Sequence, residues 1–333
     1  MKMGVSYFGN RIPEHYRSHD LPDIVAAGCT YVVHTFSEND VRFYAGSLRD
    51  MVKATHQAGL EVYVDPWGVG GVFAGEAFSD FLPQHPDAWQ VMADGTRIPA
   101  ACPNNPEFQA FMRLWLEVTV ELGPDVIYWD DPHLYIPPQA VGDGQEWTCH
   151  CGHCRGLYRQ RYGEPMPPRM TSEVVEFREE TLLSFIASGC AYVKEQGIRN
   201  SVGLLPFDDP EHGFVHWEKI AAIDGVDMLA VSPFWHLFHK DRDQYVGYWA
   251  RKTADVCQAH GKEPVVWLQG FLIEAGQEVE LAATVEAAYD AGVRNVAVWG
   301  YRGCGHMSSI RCQRPEVMWR VTGETFRALK SRG

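Results

Sequence analysis

The chain lacks the features that mark several large functional classes. No apolar run approaches the roughly 20 residues that a membrane-spanning helix needs. The opening residues, Met1-Lys2-Met3-Gly4-Val5-Ser6, pass straight into a strand-like run with no signal-peptide core before it. A cytoplasmic location is the expectation. Basic residues are scarce: 29 Lys and Arg stand against 43 Asp and Glu, a formal net charge of -14. With no Lys/Arg cluster, the chain is a poor partner for nucleic acid or an anionic membrane surface. The turn after the first strand reads Phe8-Gly9-Asn10-Arg11, without the G-x-G-x-x-G of a dinucleotide site. Neither H-x-H nor H-E-x-x-H occurs, so a catalytic metal has no local signature. Nine cysteines, an odd number, argue against a disulfide framework in a chain of 333 residues.

What is present is a repeating unit. Short β-branched runs alternate with longer amphipathic segments. The runs are Gly4 to Phe8, Tyr31 to Phe36, Glu61 to Asp65, Val126 to Asp130, Ser201 to Leu205, Met228 to Ser232, Pro264 to Gln269 and Asn295 to Trp299. Helices are predicted between them, and glycine closes several: Gly28, Gly59, Gly197, Gly261 and Gly292. Nearly continuous apolar strands alternating with helices indicate a buried parallel sheet. Eight such units predict an α/β fold, a single (β/α)8 TIM barrel spanning residues 1–333, with long βα loops after strands 3 and 4.

Barrels of this kind carry their chemistry at the C-terminal ends of the strands. The strand list thereby becomes a candidate list: His34, Glu38, Asp65, Trp67, Asp130, Asp131, His133, Asp208, Trp235, His236, Gln269, Trp299, Tyr301 and Arg302. It is rich in carboxylates and indoles. Sugar C–H faces stack on aromatic rings, while sugar hydroxyls need charged or amide partners. Glycoside cleavage needs two carboxyl groups, one to protonate the leaving oxygen and one to attack or to activate water. Asp130 and Asp131 are adjacent, so a persisting pleat would point them apart. Asp131 is the candidate acid, with Asp130 or His133 orienting it. Glu38, Asp65 or Asp208 is the candidate base. His34, Trp67, His133, Trp235, His236, Gln269, Trp299, Tyr301 and Arg302 are candidate substrate contacts, with Gln269, Tyr301 and Arg302 offering partners for hydroxyls or an acidic sugar.

One further motif stands apart. Cys149-His150-Cys151-Gly152-His153-Cys154 places three thiols in a C-x-C-x-x-C spacing, which reads as a metal site. Cys102 is a natural fourth ligand, with His150 and His153 competing for that place. Four thiolates leave no open position, so such a zinc is structural.

These segments resemble the family 42 β-galactosidases, which pair a Cys-Pro-Asn-type cysteine with a later C-x-C-x-x-C in a zinc clamp. Cys102-Pro103-Asn104-Asn105-Pro106 with Cys149, Cys151 and Cys154 repeats that order. They are also similar to segments of uncharacterised glycosyl hydrolases. The resemblance implies a TIM-barrel glycoside hydrolase-like enzyme with structural zinc. It has two departures. The galactosidases carry Asn-Glu at the end of the fourth strand, where this chain has Asp130-Asp131. They carry a nucleophilic Glu at the end of the seventh, where this chain has Gln269. The retaining mechanism therefore does not transfer: either the enzyme inverts, using a carboxylate elsewhere on the rim, or it does other chemistry. Two other readings follow from the same residues: a barrel that binds carbohydrate without cleaving it, and a zinc hydrolase using His34, His133, His236 or Asp65 as ligands. A small carbohydrate or glycoside is the expected partner, and a homo-oligomer is compatible with the pattern.

Overall fold

A computed structural model describes residues 1–135, 147–210, 214–307 and 309–331. Eight parallel strands close into a barrel: β1 (Lys2–Tyr7), β2 (Tyr31–Thr35), β3 (Glu61–Asp65), β6 (Val126–Trp129), β7 (Arg199–Leu204), β8 (Met228–Val231), β9 (Glu263–Gln269) and β10 (Asn295–Trp299). β10 pairs with β1 to complete the ring. The loop after β3 carries a feature the periodicity does not announce, an antiparallel hairpin of β4 (Trp89–Val91) and β5 (Arg97–Ala101).

The strand pleat sorts side chains into two shells. Tyr31 and Val33, Tyr63, Val126 and Tyr128, Met228 and Ala230, Val265 and Trp267, and Ala297 and Trp299 pack together inside the barrel. Their neighbours in sequence, such as Val32, Val62, Ile127, Trp129 and Leu229, belong to the larger core between strands and helices. Interior space is tight. A Cβ on Gly4 would stand 2.1 Å from the Tyr31 ring, so only glycine at that register admits the stacked Tyr31–Tyr63 pair, whose centroids lie 4.4 Å apart.

The helices are bounded by ordinary chemistry. Asn105 caps Pro106–Leu122 by accepting from the Glu107 and Phe108 amides, with proline at the first turn. Thr171 and Asp241 cap Ser172–Glu195 and Arg242–His260. The last helix, Pro315–Lys330, begins well before the Thr325 start that its apolar spacing suggests. No described helix is long and apolar enough to cross a membrane.

Candidate active site

The strand ends bring three aspartates to the barrel mouth. Asp65 ends β3 and Asp130 follows β6, each in register with the inward-facing residues of its strand. Asp131 departs from the pleat. Its φ of 41° is left-handed, a conformation Asp tolerates better than most residues. That turn swings it back, so Asp130 and Asp131 line the same cavity instead of pointing apart. A Cβ on Gly203 of β7 would lie 2.6 Å from both Asp131 Oδ1 and Tyr128 Oη. Glycine there leaves room for these two groups to converge.

The cavity measures about 180 Å³. Its walls include Tyr128, Phe234, Trp267, Phe271 and Trp299, with Ser232 and the two aspartates supplying polar groups. Trp267 and Trp299 meet edge to face at 5.5 Å, and Phe8 stacks on Trp67 at the same centroid separation. Indoles around a few polar groups are a surface suited to a sugar ring.

Burial governs the electrostatics. It raises the Asp131 carboxyl to about 7, the Ser232 hydroxyl opposing. Asp130 is pushed well above the carboxylate range by burial and then by the nearby charges of Asp131 and Asp65. Asp65 is wholly buried and neither carboxyl oxygen has a hydrogen-bond partner; burial raises it, with Arg11 pulling down and Asp40 adding to the rise. Three crowded, desolvated carboxyls cannot all ionise near neutral pH, so protons are held at the mouth.

Several sequence candidates have other work. Glu38 is buried beneath the loop after β3. Its Oε1 accepts from the Gly70 amide at 2.8 Å and the Ser79 hydroxyl at 2.6 Å, and its Oε2 from the Phe81 amide at 2.6 Å. Those bonds hold the loop and take up the lone pairs a base would use. Asp208 is half exposed and pairs with Lys252 and Tyr248 of the helix Arg242–His260, away from the cavity. His34 lies on the outer face of β2, between the Tyr7 and Tyr16 rings and against Thr55. Burial lowers it to about 3, so it is neutral. Gln269 spends its amide on backbone: Oε1 accepts from the His236 and Leu237 amides and Nε2 donates to the Phe271 carbonyl. The Tyr301 hydroxyl donates to Asp20 and Asp23, and Arg302 pairs with Asp23. Trp235 donates to Glu280, which also faces His236, in a separate open recess. His133 lies just past the aspartates, its Nδ1 2.8 Å from the Asp131 carbonyl oxygen. Of the aromatic candidates, Trp299 lines the cavity and Trp67 stands beside it on Phe8.

Sequence reasoning missed Glu76. It lies in the loop after β3, exposed at the cavity mouth with Ala74 and Gly75. No strand period marks it, and the only hint is the glycine-rich run around it.

The histidines of the zinc-hydrolase reading do not assemble. Among the described residues, the one group of His, Cys, Asp and Glu close enough to share a metal ion is Cys102, Cys149, Cys151 and Cys154. All four thiols are buried and within 4.8 Å of one another. Cys102 Sγ is 3.5 Å from Cys154 Sγ and 3.6 Å from Cys151 Sγ. A tetrahedron with metal–sulfur bonds of about 2.3 Å has sulfur–sulfur edges of about 3.8 Å. The cluster is close to that shape and could hold such an ion, ringed by Trp147, Tyr158, Met166 and Phe177. Part of the loop between β6 and this cluster, 136–146, lies outside the described residues.

No protein-family model matches the chain, and no curated protein matches it. Solved structures do. The endo-1,4-β-mannanase of Rhizomucor miehei has a TM-score of 0.60 at 13% identity, covering 99% of this chain and 95% of that one. The endo-1,4-β-D-mannanase of Thermotoga petrophila RKU-1 scores 0.57 at 11%, covering 98% and 99%. The D-allulose 3-epimerase of Methylomonas sp. scores 0.55 at 9%, covering 100% and 98%. At such identities the likeness is one of fold: this is a TIM barrel, and glycoside hydrolases are among its structural neighbours. The epimerase beside them shows that the same barrel hosts unlike reactions.

Proposed function

We propose that this chain is a glycoside hydrolase-like enzyme of a single domain, cleaving a glycosidic bond in a small carbohydrate by carboxylate acid/base catalysis. The observation that carries the reading is the convergence of Asp130 and Asp131 on one cavity walled by Trp267 and Trp299. Asp131 is the acid. Raised to about 7, it holds a proton up to neutral pH and can give it to the leaving oxygen, as a glycosidase acid must. Asp130 lines the same cavity with its own carboxyl pushed up by burial and by the charges of Asp131 and Asp65, so the two aspartates hold protons at the site rather than ionise together. The mannanases among the structural neighbours agree with a carbohydrate substrate. The test is turnover of an aryl-glycoside panel by the wild type and Asp131→Asn. Undiminished turnover by the variant would sink the assignment.

The four cysteines would hold a zinc ion whose role is structural, since no coordination position is left open. It would tie the start of the helix Pro106–Leu122 to the segment returning from the β6 loop. Elemental analysis should give one zinc per chain. Cys151→Ser should lose it, at a cost on the order of 5 kcal/mol, below the roughly 10–16 kcal/mol of a wholly metal-dependent fold because the barrel core persists. Undiminished metal content in the variant would refute the site.

A second reading is a barrel that binds a sugar without cleaving it. Gln269, standing where a retaining enzyme's nucleophile would be and fully engaged with backbone, favours it. Calorimetry showing tight sugar binding, with no product after long incubation, would decide for this reading.

A further inference from the structure

We propose that Glu76 is the second carboxylate of the site, the base that takes a proton from the attacking water. The proposal rests on the glycosidase reading of Asp131 and assigns the partner which that reading leaves open.

The argument begins with the loop after β3. Glu38, buried, gathers the Gly70 amide, the Ser79 hydroxyl and the Phe81 amide on its two oxygens. Hydrogen bonds to an ionised acceptor are stronger than bonds between neutral groups. One carboxylate therefore fastens both ends of the segment that carries Glu76. The middle of the segment is registered against the site itself. The Ala74 amide donates to the Asp130 carbonyl at 2.9 Å, and the His133 amide donates to the Val72 carbonyl at 2.9 Å. Glu76 thus sits two residues from a backbone bond to the residue that precedes the acid.

Gly75 completes the placement. Its φ is +116°, and a Cβ there would fall 1.9 Å from the Trp67 ring. Only glycine lets the chain press against that indole and turn Glu76 toward the cavity. Trp67 is itself fixed by Phe8. A loop tied by a buried carboxylate, indexed to β6 and seated on a stacked indole is a rigid mount for one exposed acid.

Environment divides the roles. Asp131 is buried and keeps its proton, whereas Glu76 stands at the mouth where water enters. Its carboxyl is raised by partial burial, with its own backbone amide and the neighbouring Trp67 indole pulling it down. In the step, the water oxygen bonds to the anomeric carbon as the bond from that carbon to the leaving oxygen breaks, its electron pair going to the oxygen. Glu76 takes the water proton and Asp131 gives its own to the leaving oxygen. The products are a sugar of inverted configuration and an alcohol, and exchange with solvent resets both carboxyls. Glu38 is a positioning residue, acting through the loop.

The experiment compares wild type, Glu76→Gln, Asp131→Asn and Glu38→Gln on aryl glycosides with good and poor leaving groups. It records kcat/KM against pH, product stereochemistry by proton NMR, and thermal melts. The wild type should show a rise with pH as Glu76 ionises and a fall near pH 7 as Asp131 does. Glu76→Gln should lose about 10³-fold with both leaving groups, lose the acidic limb and melt as the wild type does. Asp131→Asn should lose far less with the good leaving group than with the poor one. Glu38→Gln should lower the rate and leave both limbs in place. Glu76→Gln within tenfold of wild type, or product of retained configuration, overturns the inference and leaves Asp131 as the acid. A wild type that cleaves no glycoside overturns the underlying reading and the hydrolytic role of Glu76 with it.

Discussion

At the ends of β3 and β6 the carboxyl oxygens of Asp65 and Oδ1 of Asp131 are buried without hydrogen-bond partners, whereas at the ends of β9 and β10 the Gln269 amide and the Tyr301 hydroxyl are bonded to groups of the fold. Both halves present polar residues at the same strand level of the same barrel. The difference lies in whether those groups are spent. A bonded group stabilises the mouth and has little left for a ligand. An unbonded buried carboxyl costs stability, typically about 1–3 kcal/mol, and is retained where that group has other work. Position at a strand end nominates a residue; its hydrogen-bond accounting assigns it.

The sharpest way to break this comparison is to neutralise a carboxyl in the open half. Asp131→Asn should lower kcat/KM on poor leaving groups by about 10³-fold, near 4 kcal/mol of barrier. Its melting temperature should hold or rise, since a buried acid is being replaced by a neutral isostere. Steady-state kinetics beside a thermal melt measures both. A large fall in stability with little change in rate would erase the distinction between the halves.

Gln269→Ala probes the closed half and should do the opposite. The His236 and Leu237 amides lose their acceptor and the Phe271 carbonyl its donor, all in a fully buried position. The cost should be about 2–4 kcal/mol in denaturant unfolding. The pH dependence of any turnover should keep its shape, because no titrating group has been removed. A shifted alkaline limb would place Gln269 in the chemistry after all.

Much of this division was legible in principle. The β-branched runs marked all eight barrel strands, with ends displaced by a residue or two. Pleat parity would have gone further. In β2, Tyr31 and Val33 face inward, so His34 must face the helices. In β3 and β9 the same counting puts Asp65 and Gln269 inside. Three features were beyond such counting. Asp131 leaves the pleat through a left-handed φ that no period encodes. Asp208 is claimed by Tyr248 and Lys252, some forty residues on, one turn apart on a helix. Glu76 lies in a loop whose course is set by Glu38 and by backbone bonds to β6, contacts between segments that sequence spacing does not display.

Asp65 gives the smallest expected effect and the finest test. It is fully buried and unbonded, and burial raises its folded-state carboxyl well above the ordinary range. The unfolded chain has no such shift, so the folded state binds more protons once pH passes the unfolded value near 4. Stability from this group is therefore fully present below about pH 4 and is lost as pH rises toward the folded value. Arg11 opposes the effect, but its Nε and Nη2 are committed to Asp40 and Thr35, which leaves burial dominant. Asp65→Asn removes the titration while keeping the shape. It should be more stable than wild type by about 1 kcal/mol near neutral pH. The gain should shrink as pH falls toward 4, where the wild-type carboxyl is protonated in both states. Melts across that range measure the slope. A variant less stable than wild type at neutral pH would mean that Asp65 is ionised and held by Arg11, and would move it from the open half of the mouth to the closed one.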